Sequence, residues 1–87
     1  MHLEILTPER KVFEGEVDMV QLPGSREKGS FAILNNHAPI ISSLMPGRLK
    51  IKIGNQEQKF IIKSGFVEAL NNNVSVLVEG IVENVHE

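Results

Sequence analysis

The residues from Leu22 to Gly47, LPGSREKGSFAILNNHAPIISSLMPG, limit the possible folds more than any other part of the chain. Six breakers punctuate them: Pro23, Gly24, Gly29, Pro39, Pro46 and Gly47. Each proline removes a backbone donor, fixes its own φ and pushes the residue before it toward extended geometry, so no helix can run through this stretch. Between the breakers lie two short apolar runs, Phe31 to Leu34 and Ile40 to Ile41. At the centre, Asn35-Asn36-His37-Ala38-Pro39 reads as a chain reversal, since Asn tolerates the left-handed region and Pro cannot open a central strand.

The flanking sequence has the period of two that marks strands. His2 to Leu6 alternates, and Thr7-Pro8-Glu9-Arg10 reads as a turn. Lys11 to Glu14 is extended and breaks at Gly15. Glu16 to Leu22 changes phase, which implies two partly buried faces or a bulge near Met19. Arg48 to Ile53 alternates without error, placing Leu49, Ile51 and Ile53 inward and Arg48, Lys50 and Lys52 outward. Gly54-Asn55 then turns into Glu57–Lys63, the clearest hairpin of the chain. Phe66 to Leu70 and Val74 to Glu79 form two more strands across Asn71-Asn72-Asn73. Residues 81–87 read as a polar tail with no assignable element. No window free of Gly and Pro carries helical periodicity, and turn signals recur every eight to twelve residues or so, the pattern of an all-β sandwich or flattened barrel.

At 87 residues the chain has room for one core, so residues 1–87 are expected to form a single domain. It has no cysteine, which excludes disulfide staples and thiolate metal sites. The net charge of −2, with signs well mixed, argues against a nucleic-acid partner. No apolar run reaches the roughly 18 residues of a bilayer span, and the first residues lack the apolar segment of a signal peptide, so a cytoplasm-facing location is expected.

Nothing in the chain converges on catalysis. His2, His37 and His86 are too far apart in sequence to suggest a metal site, and none stands in an HExxH pattern. His37 reads either as a loop histidine bonded to nearby backbone or as a partner contact. Glu14, Glu16 and Asp18 share a strand face by period two, more in keeping with a solvated edge than with an acid/base pair. Gly24 to Gly29 lacks the GxxxxGK[ST] order of a phosphate loop and reads as a polar hairpin tip. Arg48, Lys50 and Lys52 form a basic stripe, either solvated or facing an acidic partner. Ile40, Ile41, Leu44 and Met45 read chiefly as core, with one or two available as an anchor for a partner. No cofactor, metal or small-molecule ligand is expected. A free-standing β-sandwich adaptor for a ligand or peptide is the alternative, disfavoured by the absence of Trp and Tyr.

Taken in order, LPG, a polar tip, GSFAIL, NHAP, PG and GFVE, within LEILTPERKVFEGEVDMVQLPG, GSFAILNNHAPIISSLMPGRLKIK and KSGFVEALNNNVSVLVE, resemble the epsilon subunit of the bacterial rotary F-type ATP synthase. The resemblance covers nearly the whole chain. It departs at Asn35-Asn36, where many members have Pro-Asn, at Ala32, where glycine is common, and at an enlarged tip, Arg26 to Lys28. The chain also stops where the family's C-terminal helical hairpin begins, so it is expected to be a short form or the N-terminal domain.

The resemblance implies a two-sheet β-sandwich of about ten short strands without that hairpin. Its role would be that of a non-catalytic central-stalk subunit, coupling the gamma subunit to the membrane ring of c subunits without inserting into the membrane itself. The family's gamma-facing contacts would fall on Thr7, Asn36, His37 and Pro39. Its ring-facing contacts would fall on Glu27, Lys28, Gly29 and Ser30. The location implied is the cytoplasmic face of the inner (plasma) membrane.

Overall fold

A computed structural model describes residues 1–24 and 29–86, with side chains only as far as residue 82. Ten strands follow one another: β1 (His2–Leu6), β2 (Lys11–Glu16), β3 (Met19–Pro23), β4 (Ser30–Leu34), β5 (Ile40–Leu44), β6 (Gly47–Ile53), β7 (Gln56–Ile62), β8 (Gly65–Leu70), β9 (Asn73–Val78) and β10 (Ile81–His86). They form two five-stranded sheets, in the orders β2-β1-β9-β8-β5 and β10-β7-β6-β3-β4. We call these sheet A and sheet B. All pairs are antiparallel except β1 with β9, which run parallel.

Alternation builds one core between the sheets. Sheet A contributes Leu3, Ile5, Leu44, Val67, Ala69, Val74, Val76 and Val78, and sheet B contributes Val20, Leu22, Ile33, Leu49, Ile51, Phe60 and Ile62. Met1 and Val17 close one end of it. No polar or charged side chain is buried among the described residues. Stability therefore rests on apolar burial at about 25 cal/mol per Å² and on the two hydrogen-bonded ladders.

The turns follow from the residues that make them. Asn71 and Asn72, the two-residue loop of the β8–β9 hairpin, have φ values of 53° and 61°. Positive φ at both positions is what a type I′ hairpin turn demands, and Asn tolerates it better than most residues. Asn36 also lies in the left-handed region, at φ 61°, within the chain reversal the sequence predicts. At Gly65 no side chain could be accommodated: a Cβ there would lie 2.2 Å from the Leu77 carbonyl oxygen and 2.8 Å from the Val78 Cα.

Four expectations are corrected. Strand β2 runs through Gly15 to Glu16, because Gly15 pairs with Leu3 as a regular rung. The phase change between Glu16 and Leu22 is no bulge at Met19. The chain leaves sheet A at Val17-Asp18 and enters sheet B at Met19, so the inward side is redefined on the way. A register irregularity does occur, in the β1–β2 pair between Ile5 and Leu6. Ile53 is 46% exposed, since it ends β6 beside the Gly54-Asn55 turn, past the cover of the opposite sheet. Finally, residues 81–86 form a strand, β10, paired with β7 at the edge of sheet B.

Candidate docking surfaces

The sandwich presents two outer faces and two ends. At one end lie Met1, the Asn35-Asn36 reversal and the Asn71-Asn72 turn, tied together by short bonds. The Asn36 N–H donates to Asn72 Oδ1 (3.0 Å) and the His2 N–H to the Asn72 carbonyl (3.0 Å). The Met1 ammonium donates to Asn35 Oδ1 (2.6 Å) and the Val17 carbonyl (3.0 Å). At the other end lie Pro23, Gly24, Gly29 and the Met45–Gly47 crossover, joined by Gly24 N–H to Gly29 O (3.0 Å) and Met45 N–H to Pro23 O (3.1 Å).

These ends sort the expected site residues. Asn36, His37 and Pro39 sit together at the asparagine end, just before β5. His37 Nδ1 donates to the Ala38 carbonyl (3.1 Å), which is the local backbone bond read from the sequence, and its Nε2 is buried with no hydrogen-bond partner. Thr7 lies elsewhere. It follows Leu6, which pairs with Leu77; Phe66 also pairs with Leu77, and its neighbour Gly65 with Leu44. That register carries Thr7 to the Pro23 end, with exposed Gly29 and Ser30. The Thr7 hydroxyl serves its own turn, donating to the Arg10 carbonyl (3.2 Å) and accepting from the N–H groups of Glu9 (3.3 Å) and Arg10 (3.2 Å). Glu27 and Lys28 lie outside the described residues.

The outer face of sheet A carries large apolar side chains in the open. Ile41 is 73% exposed, Phe66 54%, Leu70 52% and Leu77 52%. Cross-strand register aligns Phe66 with Leu77 and Ile41 with Glu68. Two shallow hollows run along the row, about 330 Å³ beside Pro39, Ile41 and Leu70 and about 240 Å³ beside Ile41, Phe66 and Leu77. Of the four residues read chiefly as core, Leu44 is buried, Ile40 and Met45 are half-buried, and Ile41 points outward because it pairs with Glu68 on the solvent side of β8. Sequence reasoning did not single out this row. Its signal was present, since Phe66-Val67-Glu68-Ala69-Leu70 has apolar residues in both phases of the alternation.

Beyond β9 the same face turns charged. His2 Nε2 meets Glu14 Oε2 at 3.0 Å and His2 Nδ1 meets Glu16 Oε2 at 3.2 Å. Both ring nitrogens face carboxylates, an arrangement satisfied in full only by the imidazolium, with two donors. The bond to Glu14, with Glu16 adding to it, holds the His2 pKa above its ordinary range. Lys11 Nζ bridges Glu14 (2.6 Å) and Glu4 (3.3 Å), and Lys11 first and His2 second hold the Glu14 carboxyl below its ordinary range. The Met1 ammonium lies 3.6 Å from Glu16 Oε1. Asp18, expected on the Glu14–Glu16 face, is carried off by the sheet crossing and accepts the Gly54 N–H at 2.7 Å. Among the described residues no group of three or more His, Cys, Asp or Glu side chains is placed to hold a metal ion.

The outer face of sheet B is basic. Arg48, Lys50 and Lys52 project from β6, with Lys59 directly opposite Lys50 on β7. Gln21 and Ser30 flank them, the Gln21 amide donating to Ser30 Oγ at 3.3 Å.

Both outer faces are open and carry shallow hollows over one continuous core. Residues 1–84 match the model of the ATP synthase delta/epsilon chain β-sandwich domain. The chain belongs to that family, whose members are non-catalytic subunits. It is 40% identical over 83 residues to the ATP synthase epsilon chain of Caulobacter vibrioides, covering 95% of this chain and 94% of that one. With the epsilon chain of Maridesulfovibrio salexigens the identity is 46% over 77 residues, covering 88% of this chain and 53% of the relative. The chain thus spans nearly the whole of one relative and about half of the other. A chain of the Euglena gracilis mitochondrial ATP synthase, solved with OSCP, F1 and c-ring, superposes with a TM-score of 0.83 over 92% of this chain and 51% of its own, at 20% identity. At that identity the likeness is one of fold.

Proposed function

We propose that this chain is a non-catalytic rotor subunit of a proton-translocating ATP synthase, seated in the central stalk between the gamma subunit and the membrane ring of c subunits. It would lie at the cytoplasmic face of the membrane. The family match over residues 1–84 carries this reading. The physics agrees with it: a coupling piece must transmit torque without bending, and two ladders locked over one close-packed apolar core provide stiffness.

Sheet A supports the gamma contact. Its exposed row, Ile41, Phe66, Leu70 and Leu77, offers the large apolar anchors that dominate binding energy at protein interfaces. A five-residue strand spans about 16 Å, so one partner lying along sheet A would reach Pro39, Asn36 and His37 at one end and Thr7 at the other. The Pro23 end, with Gly29 and Ser30, would rest on the c-ring, and Glu27 and Lys28, which precede Gly29 in sequence, are proposed to share that contact.

The test is assembly with the cognate gamma subunit, followed by size-exclusion chromatography with light scattering. A one-to-one complex weakened by His37→Ala and Phe66→Glu is expected. Two folded proteins that elute apart would end the rotor reading.

A further inference from the structure

From the basic face of sheet B we infer a second docking surface, one that takes an acidic polypeptide segment of a partner in the assembly. The inference rests on the chain being an assembled subunit, and it concerns the face turned away from the apolar row.

Three features point to an anionic occupant. Lys50 and Lys59 stand directly opposite each other on neighbouring strands, which concentrates positive charge at the middle of the face. Arg48 and Lys52 extend the charge along β6; Glu57, directly opposite Lys52, pairs with Lys50 at 3.6 Å, and Arg48 makes no ion pair among the described residues. Lys59 is itself engaged by another group of the chain, so Lys50 and Lys52 share the one carboxylate of Glu57 and Arg48 has none among the described residues. The charge also surrounds a concavity. A hollow of about 500 Å³ is lined by Gln21, Ser30, Arg48, Lys50, Lys59 and Ile61, so uncharged donors stand beside the cations.

The spacing points to a polypeptide. Arg48, Lys50 and Lys52 repeat about every 7 Å along the strand. Carboxylates at every fourth residue of a helix repeat about every 6 Å, close enough for successive acids to meet successive cations. A bilayer surface fits less well, because it is flat while Arg48, Lys50 and Lys59 line a hollow. The two outer faces then hold different partners by different physics, apolar burial on sheet A and charge complementarity on sheet B.

Lysine acetylation, read by mass spectrometry, tests the inference on the assembled ATP synthase and on the free chain. Lys50 and Lys52 should react about tenfold more slowly in the assembly, the protection falling away at high salt as screening predicts. A carbodiimide should join one of them to an Asp or Glu of another subunit. Equal rates in the free and assembled chain would overturn the inference, as would protection of the free chain by phosphatidylglycerol vesicles without any subunit. If no assembly forms, light scattering reports the loss of the rotor reading separately. Titration with an alanine-rich helical peptide carrying glutamate at every fourth residue then decides: binding abolished by Arg48→Gln with Lys52→Gln supports the inference, and no binding ends it.

Discussion

The two outer faces share one core yet differ in almost every surface property. Sheet A shows solvent Ile41, Phe66, Leu70 and Leu77 beside a cluster of carboxylates. Sheet B shows Arg48, Lys50 and Lys52. The inward positions are alike, Val, Ile and Leu on both sides, because a sandwich core asks only for apolar volume at every second residue. The outward positions are not needed for folding, so they are free to encode partners. That separation would let a small domain hold two unlike neighbours, as proposed above.

The harshest way to break the comparison is to destroy what the faces share. Ile51 is 1% exposed at the centre of β6. Ile51→Asp would place an unpaired carboxylate in the core at a cost of several kcal/mol, comparable with the whole stability of a domain this size. The thermal transition should vanish, and both faces with it. A native melting curve would mean that β6 is out of phase.

A more selective change removes one face alone. Phe66→Lys with Leu77→Glu, opposite charges on directly paired positions, should leave the melting temperature within a few degrees of the parent. It should weaken the gamma complex by about 2–4 kcal/mol, since exposed anchors matter to binding far more than to folding. Isothermal titration of parent and variant separates these effects. Smaller still is Asp18→Ala at the asparagine end, where loss of the acceptor for the Gly54 N–H should lower stability by about 1 kcal/mol in urea unfolding and leave both faces intact.

The gentlest probe is pH, which acts on the charged flank of sheet A. With its folded pKa above the ordinary 6.5, His2 stabilises the fold fully below that value and loses this contribution as pH rises through the folded pKa. Glu14 acts oppositely: its contribution is present above the ordinary 4.5 and is lost as pH falls through its depressed folded pKa. An NMR titration of the His2 ring should therefore show a midpoint above 6.5, and Glu14→Gln should lower it. An unmoved midpoint would separate His2 from the carboxylate.

How far the sequence reveals this structure depends on the range of the information. Leu49–Ile51, Phe60–Ile62 and Val74–Val76–Val78 are legible as core because alternation is local and the turns beside them, Gly54-Asn55 and Asn71-Asn72, have characteristic chemistry. The crossing at Val17-Asp18 is not legible, because a strand that changes sheets and a strand with a bulge leave the same phase slip. The exposed row is hidden for a related reason: Phe66 and Leu70 are core residues in one phase and surface residues in the other, and only the register with β9 and β5 decides. Thr7 shows the same limit. Resemblance groups it with His37, while the parallel β1–β9 ladder sets the two at opposite ends of the sandwich.

That ladder also shapes how the chain comes into being. Strand β1 is the first made, yet it lies inside sheet A, and the partner for its second side runs from Asn73 to Leu77. At about 5–20 residues per second, the first strand waits roughly 4–14 s on the ribosome before that partner exists. Until then β1 and β2 are at most a hairpin with a bare hydrogen-bonding side, a form that is marginal alone and open to pairing with another chain. The sandwich is therefore born late and as a whole, and a nascent chain stalled before β9 is the species most in need of a chaperone.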